Sequence, residues 1–299
     1  MADILMRLAQ ITADDFDLAR TLDSGQVFHW EASGPGYVGA IGGRAAYVEQ
    51  RGERLSFSGA TAKTLSKYFS LDHPLADICR AFPSDPALTA ARDFCRGLRI
   101  IRQPRWECLA TFITSSMKQV AHIRQMSHTL RKRYGERIAI FDGEVHAFPT
   151  PERIAELTEE DLRKCALGYR AKNLLATARL VATGEADLEQ WSTLSDDALR
   201  SRLCELPGVG AKVANCVMLF SYERLRAFPV DVWIERVLKQ KYFPRKRKVT
   251  PQELRRFCER YFGEHGGYAQ QYLFHHARKG GGEVVRPGDL RYDSPAGKR

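Results

Sequence analysis

Leu206-Pro207-Gly208-Val209-Gly210-Ala211-Lys212 is the stretch that decides the fold. Two glycines one residue apart allow a tight turn with positive φ. The spacing of apolar residues predicts helices over 196–205 before the turn and over 211–220 after it. Free backbone N–H groups at the start of the second helix form an anion site, for which a DNA phosphate is the obvious ligand. The sequence therefore predicts two helices joined by a DNA-binding hairpin at Gly208, Val209 and Gly210.

Lys212 stands out because it enters the first turn of an otherwise apolar helix, in which only Asn215 shares its polar stripe. A cation at a helix N-terminus opposes the helix dipole, and burial disfavours its charge. Both effects would lower the pKa of Lys212 and favour the neutral amine, the form that attacks an electrophilic carbon. The alternative is a lysine that reaches solvent or pairs with phosphate. The glycine hairpin and Asp231 favour catalysis.

Asp231 follows the second helix by a short loop, in Phe228-Pro229-Val230-Asp231-Val232-Trp233. It occupies the N-cap position of another amphipathic helix, where a carboxylate is expected to stay ionised. An ordinary cap is the alternative. An ionised carboxylate can stabilise a developing sugar cation and move protons, and a neutral amine can attack the anomeric carbon. Lys212 and Asp231 together therefore suggest cleavage of an N-glycosidic bond through a Schiff base.

The composition indicates a polyanionic partner. The 299 residues are 44% hydrophobic and 27% charged, with a formal net charge of +10 and a pI of about 9.3. No apolar run is long enough to span a membrane, and the first residues lack a secretion signal. We therefore expect an intracellular protein that acts with DNA, in the bacterial cytoplasm or the eukaryotic nucleus, without a membrane partner.

Cysteine and histidine give no sign of a metal site. The seven cysteines are scattered without a Cys-x-x-Cys pair, and the eight histidines show no metal-ligand spacing. This pattern argues for a reducing compartment and against a zinc or iron–sulfur site. We expect neither a metal nor a cofactor.

The remaining signals predict an α+β protein. Strand-like runs separated by glycine turns at 27–30, 37–41, 46–48 and 55–57 predict an antiparallel meander, followed by helices at 61–69 and 85–97. From Pro104 onward the signals are only helical, at 104–116, 118–134, 150–157, from 158, 170–183, 250–261 and 268–278. We therefore expect an N-terminal α+β domain over 1–97, an all-α domain over 98–278 and a disordered tail over 279–299.

Several motifs occur in order along the chain. The hairpin with Lys212 is followed by Pro229-Val230-Asp231-Val232. The others are Ser24-Gly25-Gln26-x-Phe28-x-Trp30, Trp106-Glu107-Cys108-Leu109-x-x-Phe112-Ile113-x-Ser115-Ser116, Leu167-Gly168-Tyr169-Arg170-Ala171 and Tyr268-Ala269-Gln270-Gln271-Tyr272-Leu273-Phe274. Together they resemble the helix-hairpin-helix DNA glycosylases, specifically the 8-oxoguanine DNA glycosylase/AP lyase family. The hairpin alone would also fit endonuclease III, but the four-cysteine cluster of that family is missing from this sequence.

The resemblance implies roles for both candidate catalytic residues. Lys212 would be the Schiff-base nucleophile and Asp231 the catalytic carboxylate. The target nucleotide would leave the base stack, since its C1′ is inaccessible within a duplex.

The resemblance also implies a pocket for the flipped base. Phe274 and Cys216 would sandwich the base, and Gln270 would hydrogen-bond its Watson–Crick edge. The backbone carbonyl of Gly25 would accept the N7 hydrogen that 8-oxoguanine has and guanine lacks. A missing buried hydrogen bond costs about 1–3 kcal/mol, so this contact can discriminate the two bases. Without the resemblance, Gly25 would be read as a plain strand-entry turn.

Recognition of the opposite strand departs from the family pattern. Tyr169 and Arg170 would fill the gap in the duplex and contact the orphaned cytosine, although a surface aromatic and a solvated charge are the commoner case. Met117 stands where the family usually carries an asparagine, His122 where it carries a second cytosine-reading arginine, and Trp233 where a histidine is common. We therefore expect a weaker preference for cytosine opposite the lesion.

These features predict a bifunctional DNA glycosylase/AP lyase that removes oxidised purine from double-stranded DNA as a monomer. One alternative is a glycosylase for another damaged base, such as an alkylated purine, because pocket selectivity rests on few contacts. Another is a non-catalytic module that binds damaged or bent DNA. Binding alone needs neither an activated lysine nor an ionised cap, so the pairing of Lys212 with Asp231 favours an enzyme.

Overall fold

The computed structural model describes residues 8–116, 118–246 and 248–279. Its N-terminal part contains an antiparallel five-stranded sheet in the order β1-β5-β4-β3-β2. The strands are β1 (Ala9–Thr12), β2 (Glu31–Ser33), β3 (Gly36–Ile41), β4 (Arg44–Arg51) and β5 (Arg54–Ser58). The three later runs of the predicted meander are confirmed as β3, β4 and β5, whereas β1 and β2 were not predicted.

Residues 27–30, predicted as a strand, are irregular. The prediction was wrong because these residues join two cores instead of pairing with a neighbouring strand. Val27 and Trp30 are buried in the core of the sheet, and Phe28 is buried in the core of the helices. The side chain of Gln26 accepts a hydrogen bond from the Ile101 backbone N–H at 2.8 Å, which ties the segment down without a strand ladder.

The helices follow the predicted positions closely, and two short ones, α1 and α3, were not predicted. The first seven are α1 (Leu18–Asp23), α2 (Ala62–Tyr68), α3 (Leu75–Arg80), α4 (Pro86–Phe94), α5 (Arg105–Ser115), α6 (Val120–Tyr134) and α7 (Pro151–Ala155). The next seven are α8 (Glu159–Arg163), α9 (Arg170–Ala182), α10 (Asp196–Glu205), α11 (Ala211–Tyr222), α12 (Val232–Tyr242), α13 (Pro251–Tyr261) and α14 (Gly266–Lys279). The fold class is therefore confirmed. Of the predicted tail, only Lys279 lies among the described residues, as the last residue of α14.

A β-hairpin interrupts the part of the chain that was predicted to be all-helical. Its strands are β6 (Arg137–Ile140) and β7 (Gly143–His146), and Ile140 pairs with Gly143. Phe141, at the turn, packs edge-on against Tyr47 of β4 with ring centroids 5.1 Å apart. The hairpin thus packs against the N-terminal sheet, and this contact accounts for the strand structure within the helical region.

Two hydrophobic cores meet at the segment 98–101. Leu98 and Ile100 are buried with the helices, and Ile101 is buried with the sheet. Helices α3 and α4 also pack into the helical core, although they precede the predicted domain boundary at residue 97. Arg99 joins the layers because its guanidinium donates to the backbone carbonyls of Asp14, Asp15, Ser70 and His73 at 2.8–3.2 Å.

Within the described residues no helix combines the length and the apolar character that a membrane span requires.

Candidate active site

The hairpin between α10 and α11 has one left-handed glycine. Gly208 has φ +81°, and a Cβ there would lie 2.8 Å from the Cβ of Asn173 on α9. Gly210, also predicted to be in the tight turn, is extended instead, with φ −100° and ψ −178°. Thr177 donates a hydrogen bond to the Pro207 carbonyl at 3.0 Å and holds the hairpin against α9. Gly208 therefore makes the turn, and Gly210 begins the helix.

The start of α11 is open to an anion. Gly210 is the N-cap and has no side chain that could bond the backbone N–H groups of the first turn. A Cβ placed on Gly210 would meet no atom within 4 Å. Gly208 and Gly210 are exposed, whereas Val209 is buried beneath them. This arrangement leaves the backbone accessible to a phosphate, as the sequence predicts.

Lys212 lies between this open helix end and the helical core. It is half-buried, and its Nζ is 5.0 Å from the centroid of the Phe112 ring on α5. Cys216, one turn further along α11, is 3% exposed and lies within hydrogen-bonding reach of Lys212. Burial raises the pKa of the Cys216 thiol to about 11, with the Lys212 charge acting in the opposite direction. Cys216 is therefore a neutral, polarisable side chain that lines the site beside the amine.

Asp231 is the N-cap of α12, and its Oδ1 accepts a hydrogen bond from the Ile234 backbone N–H at 2.8 Å. Burial raises its pKa above the ordinary value, while the Ile234 N–H and the Lys212 charge oppose the rise. The net direction is opposite to the one expected from the helix N-terminus alone, because the carboxylate is more buried than a surface cap. Asp231 and Lys212 each lie at the start of a helix, α12 and α11, and Lys212 is near enough for its charge to act on Asp231.

Three of the four residues predicted to form the base pocket, Gly25, Gln270 and Phe274, lie on or beside α14. Gln270 is 4% exposed, and within the described part of the chain its Oε1 has no hydrogen-bond partner. Gly25 has φ +84°, and a Cβ there would lie 3.1 Å from Cε1 of Phe274. Gln271 donates to the Ser24 carbonyl at 2.8 Å, which fixes the glycine loop against the helix. An unpaired buried amide oxygen beside an aromatic ring is suited to an incoming polar, planar ligand.

The residues predicted to contact the opposite strand differ in how far they are exposed to solvent. Tyr169 is 61% exposed, as a side chain that enters a duplex would be. Arg170 is 5% exposed, and its Nε donates to the Ser116 carbonyl at 2.9 Å with the guanidinium against the Tyr169 ring. His122 is exposed in the first turn of α6, and Met117 lies outside the described residues. A contact from Arg170 to cytosine stays a prediction; here its donors are directed to the backbone.

Three residues at the site were not predicted from the sequence. Phe112 lies against the amine of Lys212, and Asn173 packs under the glycine turn. Arg278 covers the ring of Phe274, with its guanidinium carbon 5.6 Å from the ring centroid. The i, i+4 spacing of Phe274 and Arg278 on a predicted helix is the signal that could have found this contact.

Among the described residues no cluster of three or more His, Cys, Asp or Glu side chains is arranged to hold a metal.

Comparison with known proteins gives consistent matches over most of the chain. Residues 8–109 match the 8-oxoguanine DNA glycosylase N-terminal domain, and residues 110–264 match the HhH-GPD superfamily of base excision DNA repair proteins. The probable N-glycosylase/DNA lyase of Methanothermobacter thermautotrophicus is 31% identical over 306 residues, covering 91% of this chain and 96% of the relative. The N-glycosylase/DNA lyase of Arabidopsis thaliana is 32% identical over 286 residues, covering 89% and 78%.

A solved structure extends the similarity to three dimensions. The 8-oxoguanine glycosylase/lyase of Clostridium acetobutylicum was solved with double-stranded DNA containing cytosine opposite 8-oxoguanine. It matches with a TM-score of 0.85 and 31% identity, over 92% of this chain and 99% of that one.

Proposed function

This chain belongs to the HhH-GPD superfamily of base excision DNA repair proteins, with the N-terminal domain of the 8-oxoguanine DNA glycosylases, and we propose that Lys212 and Asp231 perform its chemistry. It is an N-glycosylase/DNA lyase that acts on 8-oxoguanine in duplex DNA. The observation that carries the residue assignment is the placement of Lys212 in the first turn of α11, against the Phe112 ring, with Asp231 at the N-cap of α12.

The proposed reaction begins at the sugar of the flipped nucleotide. The neutral amine of Lys212 attacks C1′, the glycosidic bond breaks, and the base leaves with the bonding electrons and takes up a proton. The Asp231 carboxylate stabilises the positive charge that develops on the sugar. Opening of the sugar ring at the C1′–O4′ bond yields the Schiff base. The imine acidifies C2′, so loss of a C2′ proton expels the 3′ phosphate by β-elimination.

The proposed pocket selects 8-oxoguanine by its hydrogen-bonding edge. The orphaned Oε1 of Gln270 supports a role for this amide at the Watson–Crick edge. The close approach of the Gly25 backbone to Phe274 supports a contact from its carbonyl to the N7 hydrogen of the lesion. Guanine has an acceptor at N7 and would leave that carbonyl unpaired, at a cost of about 1–3 kcal/mol.

The proposed partner is double-stranded DNA, bound by a monomer without a cofactor. The net charge of +10 and the uncapped start of α11 at Gly210 support electrostatic binding to phosphate. We expect the protein to work in the compartment that holds the DNA, the bacterial cytoplasm or the eukaryotic nucleus.

Borohydride trapping tests this proposal directly. Duplexes with one 8-oxoguanine opposite cytosine are incubated with the wild type and with Lys212→Gln. A covalent adduct that needs both the lesion and Lys212 is expected, because borohydride reduces the Schiff base to a stable amine. Release of the base without an adduct would contradict the role of Lys212 and indicate a water-using glycosylase that depends on Asp231. Neither adduct nor free base would reject 8-oxoguanine as substrate and favour another damaged base.

A further inference from the structure

Arg278 lies beside the proposed base pocket, and the proposed reaction gives it no role. It lies one turn after Phe274 on α14, and its side chain is only 12% exposed. Its guanidinium carbon is 5.6 Å from the centroid of the Phe274 ring, and its Nη1 would lie 3.5 Å from a Cβ on Gly25. The arginine, the aromatic ring and the glycine loop thus form one packed unit.

The charge around Arg278 is not neutralised. Its Nη2 donates to the backbone carbonyl of Asp23 and lies 3.9 Å from the Asp23 carboxylate. Lys279 forms an ion pair with the same carboxylate at 2.8 Å, so two cations share one anion. Arg124 adds a further positive charge on this side. Because guanidinium stays protonated in proteins, the unit behind Phe274 carries a net positive charge.

Arg278 and the proposed recognition residue Gln270 flank Phe274 along the axis of α14. Gln270 lies one turn before Phe274, and Arg278 lies one turn after it. A base read by Gln270 would therefore stack on the side of Phe274 that faces the start of α14. The ring would then lie between the base and the guanidinium.

A cation on one face of a ring changes what the other face can bind. The guanidinium is attracted to the negative π-face of the ring. Its positive charge weakens the attraction that the ring can exert on a second cation. A second cation on the opposite face gains less from the ring and is repelled by the first. A neutral base is unaffected by this repulsion.

We propose that Arg278 is a positioning residue that acts through Phe274 to exclude positively charged, ring-alkylated purines from the base pocket while admitting neutral oxidised purines. The inference rests on the proposed function, because it takes Phe274 as the stacking surface for the flipped base. It also gives a physical reason for a choice between the two lesion classes that the sequence left open.

The test measures binding in the Lys212→Gln background, in which cleavage is blocked and the amine of Lys212 adds no charge. Kd is measured for duplexes with one 8-oxoguanine or one 7-methylguanine opposite cytosine, with a 2′-fluoro sugar to prevent spontaneous loss of the cationic base. Arg278→Gln is expected to tighten binding to 7-methylguanine relative to 8-oxoguanine by about three- to tenfold. Glutamine keeps a polar side chain without the charge, and Arg278→Leu provides a second neutral variant if the first does not fold.

Two further variants separate charge from packing. Arg278→Lys keeps a cation at the ring and is expected to retain the wild-type ratio of the two affinities. Lys279→Leu removes a cation that pairs with the same Asp23 but does not cover the ring, so it should change the ratio less than the neutral Arg278 variants do. An unchanged ratio in both neutral variants, or an equal loss of affinity for both lesions, would overturn the proposal. Failure of Lys212→Gln to prefer 8-oxoguanine over guanine would instead reject the proposed function, before Arg278 is changed.

Discussion

Asp231 combines two tasks at one position. Its Oδ1 caps α12 through the Ile234 N–H, and its charge is coupled to Lys212. Asparagine caps helices about as well as aspartate, so the capping and the charge can be separated by one substitution. We expect Asp231→Asn to leave the free energy of unfolding nearly unchanged and to slow release of 8-oxoguanine about 100-fold or more. Single-turnover excision and urea unfolding measure the two effects.

Alanine at the same position is the matched control. Asp231→Ala removes both the cap and the charge, so it should lose about 1 kcal/mol of stability in addition to activity.

Since burial raises the pKa of Asp231, protonation should begin at a higher pH than for an ordinary aspartate. Wild-type base release should therefore fall as the pH drops through that raised pKa, and this limb should be absent in Asp231→Asn. An Asn variant with wild-type activity would show that the charge is not needed.

Among single residues, the sequence pointed to the candidate catalytic side chains more clearly than to the side chains that surround them. Lys212 and Asp231 could be singled out because a lysine on an apolar helix and an aspartate at a cap are each conspicuous. Gly25, Gln270 and Phe274 were singled out only through the resemblance, and their roles stay predictions. The inward fold of Arg170 onto the Ser116 carbonyl could not be predicted, because it depends on how α5 and α9 pack.

The hairpin element offers a test in which two similar glycines behave differently. A Cβ on Gly208 would force a left-handed alanine against Asn173, so Gly208→Ala should cost about 1–2 kcal/mol of stability or more. Gly210 is extended with open space around it, so Gly210→Ala should fold with wild-type stability. Its methyl group would obstruct a phosphate at the start of α11, which should weaken binding to duplex DNA about tenfold.

Thermal or urea unfolding and DNA titration measure the two properties separately. Unlesioned duplex serves as the ligand, because the contact is to the backbone and carries no base specificity. Equal DNA affinity in wild type and Gly210→Ala would exclude the start of α11 as a phosphate site. A stable Gly208→Ala would show that the turn can adopt another conformation.

Among the elements, the long periodic helices and the meander strands β3, β4 and β5 were predictable, and the shorter strands β1, β2, β6 and β7 were not. The range 196–205 was predicted without error for α10, because its ends carry a serine cap and a glycine hairpin. The strands β6 and β7 were missed, because the two-residue loop between them is Phe141-Asp142, which lacks the Asn-Gly or Asp-Gly pair typical of a hairpin turn. The four-residue strands are only partly buried, and their packing against β3 and β4 is a tertiary contact that local pattern does not contain.

At the scale of the whole molecule, a buried ionic cluster joins the sheet region to the helices. Arg131 of α6 forms a short ion pair with Glu107 of α5 and donates to the His146 carbonyl of β7 at 3.1 Å. His29, from the segment between the two cores, lies 3.5 Å from the same Glu107 carboxylate and 2.8 Å from the Ala40 carbonyl. Burial lowers the pKa of His29 and raises that of Glu107, and the Arg131 charge opposes the rise at Glu107.

Breaking this cluster should weaken the connection between the two parts. Glu107→Gln leaves Arg131 buried without its counter-charge, and we expect it to destabilise the protein by about 3–5 kcal/mol in urea unfolding. Removing both charges in Glu107→Gln/Arg131→Met should recover much of that loss, since no unpaired charge then remains. A single variant as stable as wild type would show that water or another anion reaches Arg131. A double variant as unstable as the single one would show instead that packing of the Arg131 side chain against Phe148, at 5.2 Å, holds the two parts together.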